Sequence, residues 1–263
     1  MGKIYTVVNQ KGGVGKTTTT INLGAYLGQF GQRVLLVDLD PQGNATSCLG
    51  VDHNKIQSGT YEVLIGEKRA SETLLRNNTF KLDLIPSTPN LSGAEIELIN
   101  FPTRERLLRG RLESILDRYD YILVDCPPSL GLLTLNGLLT ASDGIIIPVQ
   151  SEYLALEGLG QLTRTLDRIK GNLFPELTIR GVLLTMYDSR TNLASDVKAE
   201  VQKYFPSKVF QNIIPRSIRL AEAPSFGMPI SVYAPKSSGA QAYRDLALEV
   251  LKGDGVKIDP GQE

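Results

Sequence analysis

Eight residues near the amino end of the chain, Lys11-Gly12-Gly13-Val14-Gly15-Lys16-Thr17-Thr18, combine three glycines, two lysines and two threonines. Such a run can wrap an anion. Backbone amides must approach phosphate oxygens closely, and glycine alone tolerates both that approach and a positive φ. Lys16 would reach the β- and γ-phosphates of a nucleotide, and the Thr17 hydroxyl would ligate Mg²⁺. A helix beginning here would add about half a unit of positive charge at its amino end. The strict spacing G-x-x-x-x-G-K-[ST] wants glycine at position 10, where this chain has Gln10. Gly12, Gly13 and Gly15 still supply the close approach. Lys11 is a second lysine on the same tight loop, and two ammonium groups beside one triphosphate suit charge neutralisation in phosphoryl transfer.

Three carboxylates complement the loop. Asp38 and Asp40 close one apolar run and Asp125 closes another. Residues i and i+2 of a strand lie on the same side, so Asp38 and Asp40 can both face a nucleotide. One can organise Mg²⁺ through water while the other orients an attacking water, and spacing does not choose between them. Asp125 would hold Mg²⁺ directly or through a water.

The elements that must position these groups are legible as two alternating patterns. Continuous apolar, β-branched runs at Ile4–Val8, Val34–Val37, Leu82–Ile85, Tyr121–Val124, Gly144–Val149 and Thr178–Leu184 suit strands buried on both faces. Helical patterns lie between and after them, at Thr17–Phe30, Thr103–Arg118, Leu130–Thr140, the stripe Leu159, Leu162, Leu166 and Ile169, Leu193–Tyr204 and Gly239–Leu251. The alternation predicts a doubly wound α/β fold: a mostly parallel sheet flanked by helices, with ligands at the carboxyl ends of the strands. One domain over residues 1–253 is expected, followed by a flexible tail over 254–263.

Composition narrows the function classes. The 263 residues carry 28 Lys+Arg against 28 Asp+Glu, so no global basic field invites nucleic acid. Residues 164–219 alone hold ten basic and five acidic groups. One histidine, His53, and two cysteines outside any C-x-x-C spacing, Cys48 and Cys126, argue against zinc and for reduced thiols. No run approaches the ~18 apolar residues of a membrane span. The start shows no secretory signal, and a cytoplasmic protein is expected.

The loop Lys11–Thr17 resembles the deviant Walker A motif of the ParA/MinD group of P-loop ATPases. Val37-Asp38-Leu39-Asp40-Pro41-Gln42-Gly43-Asn44-Ala45-Thr46 resembles the family's second acidic motif, and Tyr121-Ile122-Leu123-Val124-Asp125-Cys126-Pro127-Pro128 its Walker B strand. Pro148–Tyr153 and Ile214–Ser225 are similar to chromosomal ParA (Soj-type) partition proteins, and the likeness runs from about residue 1 to about 252.

That resemblance implies a Mg²⁺-dependent ATPase in which Asp40 positions the hydrolytic water and Asp38 lies nearer the metal. Pro215 and Arg216 would contact ribose and base. ATP would clamp two copies face to face, Lys11 of each reaching its partner's phosphates. Nonspecific DNA binding is implied at Arg190 and Arg219, with Lys198 and Lys203 following on a helix pattern, and would associate the protein with the nucleoid. A ParB-like centromere-binding protein would stimulate hydrolysis and release the dimer. The alternatives are a MinD-like membrane-associated positioning ATPase, which would want a basic amphipathic helix where this chain has Gly253-Asp254-Gly255-Val256-Lys257-Ile258, and a positioning ATPase for another cargo.

Overall fold

The computed structural model describes residues 2–152 and 154–258. Tyr153 and residues 259–263, the end of the expected tail, lie outside the described residues. Seven strands form one sheet: Lys3–Val7 (β1), Val34–Asp38 (β2), Leu75–Asn77 (β3), Leu82–Ile85 (β4), Tyr121–Asp125 (β5), Gly144–Gln150 (β6) and Ile179–Thr185 (β7). Their spatial order is β3-β4-β2-β5-β1-β6-β7. Every pairing is parallel except β3 with β4. β2 to β5 lie on one side of β1 and β6 and β7 on the other, so the chain reverses its direction of winding at β1, the topology of a doubly wound fold.

Alternation along each strand builds two cores. Ile4, Leu35, Val37, Ile122 and Val124 face one, with helices Leu132–Thr140 (α2), Leu154–Asn172 (α3) and Asn192–Tyr204 (α4) supplying its outer layer. Tyr5, Val7, Leu36 and Leu123 face the other, covered by Lys16–Gln29 (α1) and Ser238–Gly253 (α5). Because both faces are covered, the central strands read as continuous apolar runs.

One expectation needs correction. The pattern at Thr103–Arg118 is not one helix: a short helix, Leu107–Leu112, sits between two 3-10 turns, Arg104–Arg106 and Glu113–Arg118. Asn136 Oδ1 takes the Leu108 N–H at 3.0 Å, and Thr103 at φ 51° turns the chain, so packing on α2 displaces a longer helix. Strand β3 carries no apolar period and is held by its pairing with β4. At the start of the expected tail, Asp254 is held in place. Its side chain is 5% exposed and accepts from Tyr5 Oη (2.7 Å) and Tyr121 Oη (2.9 Å), with Arg180 Nη2 at 3.2 Å. A buried carboxylate with these partners fastens the end of α5 beneath the amino ends of the strands. Among the described residues no helix is long and apolar enough to cross a membrane.

Candidate functional site

The site gathers at the carboxyl ends of β1, β2 and β5. The loop between β1 and α1 bends through Gly13 at φ 74° and Gly15 at φ 89°, conformations that side chains rarely adopt. A Cβ on Gly12 or Gly13 would meet nothing within 4 Å, so Gly13 answers to backbone angle, not to crowding. Asn9 braces the loop from both sides: its Nδ2 donates to Pro148 O (2.7 Å) and its Oδ1 accepts the Lys11 N–H (3.0 Å). Thr185 Oγ1 holds Val14 O at 2.8 Å. Gly15 caps α1 with no side-chain hydrogen bond, and the first turn carries no acidic residue. The amides there are left to an anion.

Lys16 is 7% exposed and lies back along the loop, its Nζ donating to Lys11 O at 3.2 Å. Burial lowers its pKa, while Asp125 and Asp40 oppose that shift. The Thr17 hydroxyl donates to Asp125 Oδ2 at 2.7 Å, and Thr20 Oγ1 donates to Oδ1 of the same carboxylate at 2.9 Å. Parallel register sets Asp38 of β2 directly beside Asp125 of β5. Both side chains are fully buried. Desolvation, with Asp125 next to it, pushes Asp38 up to about 7, and desolvation pushes Asp125 up to about 6 against the two threonine hydrogen bonds. A cation placed between them would favour the ionised form of both.

The geometry also distinguishes Asp38 from Asp40. Asp38 Oδ2 accepts from Thr46 N (2.8 Å) and Thr46 Oγ1 (2.6 Å), and its Oδ1 accepts from Asp40 N (3.2 Å). Asp40 is 5% exposed and receives one hydrogen bond, from Gln42 N to Oδ1 at 2.9 Å. Asp38 is thus committed to holding its own loop, whereas Asp40 keeps an oxygen for a further partner. Thr46, which fixes Asp38 and also accepts the Ser87 N–H at 2.9 Å, has no signal of its own in the sequence.

Hard oxygen donors on Thr17, Asp125 and Asp38 fit Mg²⁺, which takes one or two carboxylates plus phosphates and waters. Among the described residues no group of three or more His, Cys, Asp or Glu forms a metal cage of its own. Beside the loop, Gly15, Thr18, Thr185, Pro215, Leu220 and Tyr243 help line a cavity of about 210 Å³ that Arg216 also borders. Pro215 is brought there by a bridge to Tyr187 and by Arg216 N donating to Tyr187 O at 3.1 Å. Glu152, also without a signal of its own, ties the two sides together: its carboxylate lies 3.6 Å from Lys11 Nζ and 3.7 Å from Arg216 Nη2.

The basic residues of the carboxyl-terminal half are less concentrated than their sequence suggests. Arg180 is drawn to Asp254 at the amino ends of the strands. Arg190 is exposed and forks onto Asp188, with Nε–Oδ1 2.8 Å and Nη2–Oδ2 2.7 Å, and Arg219 is exposed with Nη1 2.9 Å from Glu222. Lys203 pairs with Glu200, and Lys198 is half-buried on α4. The bridge Tyr187–Pro215 nonetheless brings the Arg190 turn alongside the segment that bears Arg216 and Arg219.

Comparison with known proteins agrees with this architecture. Residues 2–179 match the family described as AAA domain. The chain is 54% identical over 250 residues to the sporulation initiation inhibitor protein Soj of Bacillus subtilis, covering 95% of this chain and 98% of that protein. It is 51% identical over 257 residues to the chromosome partitioning protein ParA of Myxococcus xanthus, covering 98% and 90% respectively. Among solved structures, a cobyrinic acid a,c-diamide synthase from Mycobacterium smegmatis with bound ATP analogue and magnesium superposes with a TM-score of 0.86 at 40% identity, over 98% of each chain. The chain belongs to the Soj/ParA family of partition ATPases, within the wider ParA/MinD group.

Proposed function

Proceeding from that membership, we propose that the chain is an ATP-driven switch for DNA segregation: two copies clamp around ATP, hold DNA through its phosphates, and part when a ParB-like adaptor speeds hydrolysis. ATP and Mg²⁺ are its cofactors. The observation that carries the reading is the convergence of Lys16, Thr17, Asp38, Asp40 and Asp125 on one uncapped helix amino end. Loop amides and Lys16 would bind the β- and γ-phosphates, and Thr17 and Asp125 would hold the metal with Asp38 behind them. Bound Mg²⁺ would neutralise charge on the β- and γ-phosphates as it develops in phosphoryl transfer. Asp40, with an oxygen to spare, orients the attacking water. Pro215 and Arg216 border the pocket for ribose and base.

Lys11 is the dimer's contribution. It rests on Glu152, an exposed pair of little worth alone, and is free to exchange that carboxylate for a more highly charged triphosphate. Arg190 and Arg219, with Lys198 and Lys203 beside them, offer contacts to the DNA backbone that need no base reading. A dimer doubles the number of contacts, so DNA affinity follows the nucleotide state. The phosphate-loop assignment is tested by Lys16→Ala, which is expected to lose Mg-ATP binding in equilibrium dialysis. Unchanged affinity would overturn it.

A further inference from the structure

At the opposite end of the sheet from the phosphate loop, the β3–β4 hairpin and the carboxyl end of α1 flank an open, solvent-exposed cavity of about 470 Å³. Four cations line it, Arg33, Arg76, Lys81 and Arg118, against one carboxylate, Asp83. Arg33 is already neutralised by Asp120 through a two-point contact, Nε–Oδ2 3.0 Å and Nη2–Oδ1 2.7 Å. Asp83 is occupied by the Tyr119 hydroxyl at 2.7 Å. It stands opposite Arg76 in the β3–β4 ladder without forming an ion pair with it. Arg76, Lys81 and Arg118 pair with no carboxylate among the described residues. The carboxyl end of α1 offsets only about half a unit of this positive charge.

A second observation comes from the backbone. Lys81 holds φ 54°, a left-handed conformation that favours glycine or asparagine, at the end of the hairpin turn. The turn is pressed against α1: a Cβ on Gly28 would stand 2.2 Å from Lys81 O. A long cation therefore occupies a strained position that a glycine would relax, and it does so at the rim of a cavity that already holds two unpaired arginines. Strain that the surroundings impose is characteristic of sites that bind.

We propose that this cavity is a second phosphate site, binding the phosphoryl groups of a small di- or polyphosphate. Two guanidinium forks match phosphate oxygens in pairs, and the lysine adds a point charge, so a ligand with two or more negative charges is selected. The volume lies in the range of small-ligand pockets, roughly 300–1,000 Å³. The same chemistry can be offered by a DNA backbone, and the test separates the two sources.

The test uses the full chain saturated with Mg-ADP, so that the phosphate loop is filled, and compares wild type with the double variant Arg76→Ala/Arg118→Ala. Titration calorimetry with pyrophosphate is expected to reveal one further site in wild type, weakened about tenfold or more in the variant, with ADP affinity the same in both. If pyrophosphate fails to bind while the variant loses about tenfold in affinity for a duplex of arbitrary sequence, the phosphoryl groups come from nucleic acid. Wild type and variant behaving alike in both titrations would overturn the site. Lys81→Gly guards against a folding artefact: Tm is expected to hold or rise as the turn relaxes, while pyrophosphate affinity falls several-fold. An unchanged affinity in that variant removes Lys81 from the site and contradicts the proposal. Because each comparison is between variants with an intact phosphate loop, failure here leaves the ATPase reading standing.

Discussion

Asp38 and Asp40 are two residues apart and face the same site, yet their hydrogen bonds give them different work. Asp38 receives three donors and anchors the loop that follows β2, while Asp40 receives one. Asp40→Ala is therefore expected to keep Mg-ATP binding and to lose turnover by about 100-fold or more, the range for removing a group that handles the water's proton. Brisk hydrolysis by that variant in a phosphate-release assay would remove Asp40 from the mechanism. Asp38 also makes a pH prediction. Folding raises its pKa from 3.8 to about 7, so the folded chain retains a proton that the unfolded chain gives up. Its contribution to stability is fully present below about pH 4 and is lost as pH rises toward about 7. The Tm of nucleotide-free wild type is expected to fall relative to Asp38→Ala between about pH 5 and pH 7.5. A pH-independent difference would contradict the buried-carboxylate account.

At the scale of elements, the carboxyl-terminal helix is fixed to the helix that follows the phosphate loop and, just past its end, to the sheet. Tyr243 on α5 meets Thr19 of α1 with 3.1 Å between hydroxyls, and Asp254 just beyond α5 is clasped by Tyr5, Tyr121 and Arg180. Asp254→Ala leaves two phenols without their acceptor and a mostly buried guanidinium with only neutral ones, Val250 O and Tyr5 Oη, and is expected to cost about 3 kcal/mol. In a chain of this size that lowers Tm by about 6–12 °C, measurable by calorimetry. Asp254 shows where sequence reading ends: Gly, Pro and charge around it look like a fraying tail, and its partners lie at positions 5, 121 and 180. The strands that bury both faces are legible because their apolar runs are continuous, and the loop Lys11–Thr18 is legible because its glycines answer a local backbone demand. Strand β3 and the broken segment Thr103–Arg118 are not, because pairing with β4 and the Asn136–Leu108 bond, both remote in sequence, decide them. Glu152 and Thr46 stand inside readable motifs, but their partners are set by the fold.

For the whole molecule, neutrality is the informative feature. With 28 basic and 28 acidic residues, and with Arg190, Arg219 and Lys203 each facing a carboxylate, one copy has little net attraction for DNA. On the proposed reading, DNA binding would come from pairing copies and from exchanging internal carboxylates for backbone phosphates. Such binding weakens steeply with salt, in proportion to the phosphates contacted. Arg219→Ala is expected to lose most DNA retention on a filter at moderate salt while keeping its ATPase rate. Normal retention would place the contact surface elsewhere. On the proposed reading ATP, and not ADP, assembles the DNA-binding form. The most direct measurement is sedimentation velocity of Asp40→Ala, which should not consume its ATP, with a labelled duplex of arbitrary sequence. With Mg-ATP the duplex is expected to sediment together with dimers, and with Mg-ADP to sediment alone beside free monomers. Equal co-sedimentation in the two nucleotides, or monomers on DNA with ATP, would contradict the account.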